Sequence, residues 1–262
     1  MGMGLNKEVH LLNNLRKNIL EMSYLNNSGH IPSALSMLDY SYWLFKESYI
    51  DILKDRLVIG KPYGSQAYYA IYAELGFIQK EDILSFGKTD HYLTHGITTS
   101  LPGVVFSEDT LASSVGVACG IALSLKNKQS EKKVYINISD ASIQAGTIWE
   151  ALMFADIHNL SNIYMTIDYN QLQVLNKLEG LSNIYQKINS FGWEVFETEG
   201  HIKNNIIQGL DFLFKNRPMK KPGVLIFHTI KGKGISFMEN NLDWHYKTLD
   251  EFYYKKALKE LD

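Results

Sequence analysis

Asp140 and Asn170 stand thirty residues apart, each just past a short apolar run: Val134-Tyr-Ile-Asn-Ile-Ser before the first and Ile163-Tyr-Met-Thr-Ile-Asp-Tyr before the second. Such runs have the length and composition of buried strands. In an open parallel sheet the residues just beyond the carboxyl ends of strands face the ligand crevice. A carboxylate and an amide oxygen delivered there can share one hard cation, of the kind a diphosphate needs. A plainer reading uses the same residues: Asp140 caps the helix that follows and Asn170 makes a turn. Spacing alone leaves both readings open.

The elements that must carry the pair are legible around it. Residues 5–25 and 32–48 show helical spacing of apolar positions, the second opening with Pro32. Apolar runs at 56–59, 133–138, 162–167, 193–196 and 223–228 then alternate with helical segments at 65–76, 109–126, 146–158, 180–190, 202–216 and 248–260. This alternation predicts an α/β fold, a doubly wound, mostly parallel sheet with helices on both faces, and residues 1–262 as a single domain. Ala112, Gly116 and Gly120, four apart, allow another backbone close approach, either across a subunit interface or against the sheet.

A formal net charge of −2 and a pI near 6.5 argue against nucleic acid as the partner. No apolar stretch is long enough for a membrane span, and the first residues lack the apolar core of a signal peptide. The one cysteine, Cys119, lies in a small-residue run and reads as core packing, which suits a reducing cytoplasm.

The sequence around the pair resembles the thiamine diphosphate motif of transketolases, in which a Gly-Asp-Gly-Glu segment opens a helix and a later asparagine completes a Mg²⁺ site. Here Ser139-Asp140-Ala141-Ser142 is followed by an intact Gln144-x-Gly146-x-x-Trp149-Glu150-Ala151 frame. Further matches keep the family's order: Ser28-Gly29-His30, Asp55-Arg56-Leu57-Val58, Ala73-Glu74-Leu75-Gly76-Phe77, His95-Gly96, the run Lys231 to Asn241, and Trp244-His245. The resemblance implies the diphosphate-binding domain of that fold, as the separately encoded N-terminal subunit of a split transketolase. It implies thiamine diphosphate as cofactor, with Mg²⁺ or another divalent cation such as Ca²⁺ held by Asp140, Asn170 and the backbone carbonyl of Leu172. It further implies cofactor contacts from Tyr63, Leu111, Ser139 and Ala141, and His30, His95 and His245 along the sugar channel, where imidazoles can exchange protons with hydroxyls. His10, His91, His158, His201 and His228 match nothing and read as ordinary residues. The glutamate that activates the cofactor belongs, in the family, to a following domain. A separate C-terminal subunit carrying the pyrimidine-binding domain is therefore implied, in a dimer of heterodimers acting on sugar substrates.

The departures from the family pattern fall near the site. Gly-Asp-Gly becomes Ser139-Asp140-Ala141, later acidic positions become Ser142 and Ala145, and Ser-Lys-Gly-His becomes Gly60-Lys61-Pro62-Tyr63. A phenol there can donate one hydrogen bond but brings no positive charge. The Gly-Ser-Leu-Gly-Gln-Gly loop reads Asp109-Thr110-Leu111-Ala112-Ser113-Ser114, without a glycine and with an added carboxylate. The resemblance implies transfer of a two-carbon ketol unit from a ketose to an aldehyde, specialised for an unusual or nucleotide-linked sugar. A catalytically silent binding or regulatory paralogue is the alternative. A 2-oxo acid dehydrogenase or decarboxylase subunit fits less well, given the Trp-Glu-Ala and Lys-Gly-Lys-Gly matches.

Overall fold

The computed structural model describes residues 2–174, 176, 177, 179–217 and 221–262, with side chains from residue 7 onward. Two helices come first, α1 (Gly2–Leu25) and α2 (Ile31–Lys46). The chain then alternates: β1 (Arg56–Gly60), α3 (Ser65–Glu74), β2 (Val104–Ser107), α4 (Ser114–Asn127), β3 (Val134–Ser139) and α5 (Gly146–Ile157). It continues through β4 (Ile163–Tyr169), α6 (Ile184–Ser190), β5 (Glu194–Glu199), α7 (Lys203–Asp211), β6 (Gly223–His228) and α8 (Glu251–Glu260). The six strands form one sheet in the order β2-β1-β3-β4-β6-β5, every pairing parallel.

Both faces of the sheet are covered, as the expected doubly wound fold requires, because the pleat sends alternate apolar residues to opposite sides. Leu57, Ile59, Tyr135, Leu225 and Phe227 join a core with α1, α2, α3, α7 and α8. Val58, Val134, Ile136, Ile138, Val224 and Ile226 join the other, with α4, α5 and α6. Strand order reverses at β1, whose neighbours are β2 on one side and β3 on the other. Ligand crevices form at such a switch point, beyond the strands' carboxyl ends.

Several boundaries differ from the sequence expectation for identifiable reasons. β2 was not foreseen: it has four residues, sits at the sheet edge, and follows a Gly103 at φ +79 whose added Cβ would collide with the Ile52 carbonyl oxygen. The segment expected as helix from 109 forms α4 only from Ser114, because the preceding residues make a loop in which Ala112 takes φ +86. The helix expected from 180 starts at Ile184, behind Asn183 at φ +59. The helix expected over 202–216 is α7 followed by a π turn at Phe212–Asn216. Among the described residues no helix is long and apolar enough to cross a membrane.

Candidate functional site

Four strands deliver polar residues to one edge of the sheet. Lys61 follows β1, Asp140 follows β3, Asn170 follows β4, and Lys231 lies beyond β6. They line a cavity of about 620 Å³ with Tyr63, Leu111, Ser139, Ala141, Leu172 and both His30 and His245. A second cavity of about 310 Å³ shares His30 and Tyr63 and adds His95. The structure thus brings every sequence-predicted site residue to one of two adjoining cavities.

Local hydrogen bonds fix the oxygens. Asp140 is 2 % exposed, and its carboxylate accepts from its neighbour's amide, Ala141 N, at 2.8 Å and from Gln171 N at 2.6 Å, tying the β3 and β4 ends together. Asn170 Oδ1 accepts from Leu172 N at 3.0 Å, an Asx turn. The turn-forming reading of Asn170 therefore holds alongside its place in the cavity wall. The capping reading of Asp140 does not hold for α5, whose N-cap is Ala145. Ser139 accepts from Ser142 N at 3.3 Å and starts the short 3₁₀ turn at Asp140–Gln144.

Three charged residues were not singled out from sequence: Lys61 and Lys231, which line the cavity, and Asp168, which is buried and paired to Lys61. Asp168, fully buried on β4, is ion-paired to Lys61 and accepts from Ser36 Oγ at 2.9 Å and from Thr229 Oγ1 at 2.5 Å. Asn170 Nδ2 donates to the same carboxylate at 3.2 Å and to Ser36 Oγ at 3.2 Å. Lys61 also donates to the Ser33 carbonyl at 3.0 Å. Lys231 donates to the Leu172 carbonyl at 3.1 Å and approaches His245 Nδ1 at 2.8 Å. The same Nδ1 also lies 3.2 Å from the Gln173 carbonyl oxygen, so its role, donor or acceptor, turns on the tautomer. Asp168 stood two residues before Asn170, and the lysines stood inside quoted motifs, but nothing in sequence showed that they converge.

The cavity shifts its titrating groups. Burial, with Asp168 nearby, raises the Asp140 carboxyl to about 6. Burial, then Lys61, lowers the Lys231 ammonium to about 8. Burial together with neighbouring positive charge lowers His30 and His245 to about 4 each, so both are neutral near pH 7. His30 begins α2 in the left-handed region, φ +61, and its buried Nδ1 has no partner among the described residues. Its ring is framed by Tyr246 at 4.7 Å, Tyr63 at 5.0 Å and His245 at 5.5 Å, centroid to centroid. His95 Nδ1 lies 2.9 Å from Ser28 Oγ. His201, by contrast, is structural: Nδ1 bonds Asp39 at 2.7 Å and Nε2 accepts from Ile230 N at 2.8 Å.

The glycine-free loop keeps an unusual backbone by other means. The Glu108 carboxylate, 1 % exposed, accepts from Ser114 N at 2.7 Å, from Ala112 N at 3.2 Å and from Ser113 Oγ at 3.3 Å. It therefore supplies the N-terminal acceptor that α4 lacks from its own N-cap, Ser113. Leu111 is left 39 % exposed on the cavity wall.

The fold defines the class first: a doubly wound α/β chain with a polar cavity at the carboxyl edge of a parallel sheet. Residues 8–261 match the family described as transketolase, thiamine diphosphate binding domain, and the chain belongs to that family. It is 30 % identical over 260 residues to one of the subunits of the apulose-4-phosphate transketolase of Phocaeicola vulgatus, covering 94 % of this chain and 90 % of that protein. It is 31 % identical, over 97 % of its length and 95 % of the relative's, to a 6-deoxy-6-sulfo-D-fructose transketolase subunit of Clostridium sp.. Human transketolase is 26 % identical over 95 % of this chain, which spans 41 % of that protein. The transketolase structure from Campylobacter jejuni shares the fold, with a TM-score of 0.86 over 97 % of this chain and 43 % of that one. The chain is thus a transketolase-type transferase subunit, matching in extent the relatives named as separate subunits.

Proposed function

We propose that this chain is the cofactor-holding half of a two-component, thiamine diphosphate- and Mg²⁺-dependent transketolase. It transfers a two-carbon ketol unit from a ketose to an aldehyde acceptor, and it is active only with a separate subunit that supplies the activating glutamate. The observation that carries the reading is the convergence of Asp140, Asn170 and the Leu172 carbonyl with Lys61 and Lys231 on one cavity.

The residues present fit the cofactor. Three hard oxygens, one carboxylate, one amide and one carbonyl, suit a cation that completes its shell with phosphate oxygens and water. Asp140 is a buried carboxylate beside a second one, raised to about 6 by that burial, and a dication there offsets the unfavourable charge. Lys231 and Lys61 add positive charge where a diphosphate would lie, and Leu111 offers an apolar surface for a flat ring. Thiamine diphosphate, held there by Asp140, Asn170 and the Leu172 carbonyl through its cation, would supply a nucleophilic carbon and an electron sink for cleavage of a carbon–carbon bond.

This chain's residues bind, orient and move protons around that chemistry. The imidazoles of His30, His245 and His95 take and return protons at sugar hydroxyls and donate to a developing oxyanion. Tyr63 takes the place of a family histidine and steadies the rebuilt loop, its Oη donating to the Asp109 carbonyl at 2.7 Å. Residues 1–262 act as one domain in a cytoplasmic dimer of heterodimers. The substrate is an unusual sugar, as the names of the subunit relatives say of theirs. The test is ketol transfer assayed with the purified chain and with its partner complex. Turnover is expected from the complex alone; turnover by the single chain overturns the divided site, and silence of both favours a binding subunit.

A further inference from the structure

Away from the cavity, three buried polar side chains meet at one point: Arg16 from α1, Asp39 from α2 and His201 from the turn between β5 and α7. Arg16 Nη2 donates to both Asp39 carboxylate oxygens, at 2.6 and 2.8 Å, and His201 Nδ1 lies 2.7 Å from Oδ2. Ile230 N donates to His201 Nε2 at 2.8 Å. A backbone N–H can only donate, so Nε2 is the acceptor and the ring proton lies on Nδ1, facing the carboxylate. Burial by itself would raise the Asp39 carboxyl; Arg16 and then the His201 hydrogen bond outweigh it and hold it below its ordinary value.

Among the described residues, the two side-chain hydrogen bonds that leave this cluster go to the same loop, one on each side of Lys231. His201 holds Ile230 N, and Arg16 Nε donates to the Lys233 carbonyl at 3.2 Å. Between them Gly232 N donates to the Pro32 carbonyl, in the first turn of α2, at 3.0 Å. The loop follows this anchorage closely. Gly234 takes φ +95 where an added Cβ would stand 2.7 Å from Arg16 Nε, and Gly232 takes φ +84 where one would stand 2.4 Å from the Met238 carbonyl oxygen. What the anchored loop presents is Lys231, 4 % exposed, which lines the larger cavity with Asp140 and Asn170 and donates to the Leu172 carbonyl at 3.1 Å.

A buried ion pair is a weak source of stability, since apolar residues of the same volume often serve as well or better. What it adds is direction, because charge-assisted bonds to a carboxylate hold their partners in one geometry. On the reading proposed above, we infer that Arg16, Asp39 and His201 are positioning residues for Lys231: they fix the backbone on both sides of it so that its ammonium is held where the cofactor's diphosphate lies. None of the three lines either cavity, and they act through the lysine. A lysine on an anchored backbone has already lost on folding the freedom that a loose one would lose on meeting a phosphate.

The test is titration calorimetry of thiamine diphosphate with Mg²⁺ on the assembled two-subunit enzyme, in a double-mutant cycle between His201 and Lys231. His201→Asn keeps a donor for Asp39 but loses the acceptor for Ile230 N, and it should weaken binding by about tenfold. His201→Gln, whose amide oxygen can stand where Nε2 does, should recover most of that loss. In the Lys231→Met background His201→Asn should add less than about twofold, because the residue it positions is gone. Unchanged affinity in His201→Asn, or a loss of full size in the Lys231→Met background, overturns the inference. A wild-type complex that binds no thiamine diphosphate counts against the cofactor reading itself. Amide hydrogen exchange on the full chain, which needs no cofactor, then decides the matter. Exchange at Ile230 and Gly232 should quicken by about tenfold or more in His201→Asn while β4 and β6 keep their protection; equal protection of the loop in wild type and variant overturns the inference.

Discussion

His30 combines three costs in one residue: a left-handed backbone, a buried unpartnered nitrogen, and an imidazole held down to about 4 by burial and by His245, Lys231 and Lys61. Strain of this kind persists where the surroundings over-determine it, and it gathers at functional sites. The sign of its pH effect follows directly. Above pH 6.5 the imidazole is neutral folded and unfolded, so it contributes nothing; as pH falls from 6.5 toward 4 the unfolded chain takes up a proton that the native site refuses, and stability is lost. His245 acts in the same direction. Denaturant unfolding across that window should therefore show a shallower pH dependence in His30→Asn, whose side chain also tolerates the left-handed region. An unchanged dependence would mean that His30 titrates normally. At this scale the sequence showed residue types and order but not partners. His30, Asp140 and Asn170 could be picked out by motif, whereas the Asp168–Lys61 pair joins positions 107 residues apart and only the fold brings them together.

Among the elements, the loop between β2 and α4 was the hardest to read. Losing every glycine suggested a changed backbone, yet Ala112 holds φ +86, and Glu108, which no motif marked, secures the turn from within. The expectation that the helix began at 109 failed because small and apolar residues there fit a helical period, while the competing acceptor was a carboxylate spaced irregularly from its donors. The long central strands were legible because apolar runs buried on both faces are hard to mistake, and β2 was not, being four residues at an edge. Glu108→Ala should cost roughly 2–3 kcal/mol in urea unfolding, since it leaves buried amides without an acceptor. Ala112→Gly should stabilise the loop by about 0.5–1 kcal/mol, as glycine takes a positive φ without a Cβ clash. Neutral outcomes for both would mean that the loop is held by something else.

As a whole molecule, the chain gathers one wall of a site. The sheet and its two covered faces followed from the alternation of apolar runs and helical segments, whereas the strand order and its switch point came only from the fold. What sequence could not give is the opposite wall: the groups that would cover Leu111 and face the sugar cavity come from another chain on the reading proposed here. On that reading the partner sits over the carboxyl edge of the sheet, and the divided activity of the purified chain and the complex tests this at the same scale.

The most direct measurement is titration calorimetry of thiamine diphosphate in the presence of Mg²⁺ against the assembled complex, repeated with Asp140→Ala and with Asn170→Ala. Saturable, Mg²⁺-dependent binding in the wild type, weakened by about a hundredfold or more in each variant, is the predicted result. Equal affinity in all three proteins would contradict the assignment of Asp140 and Asn170 to the cofactor's metal.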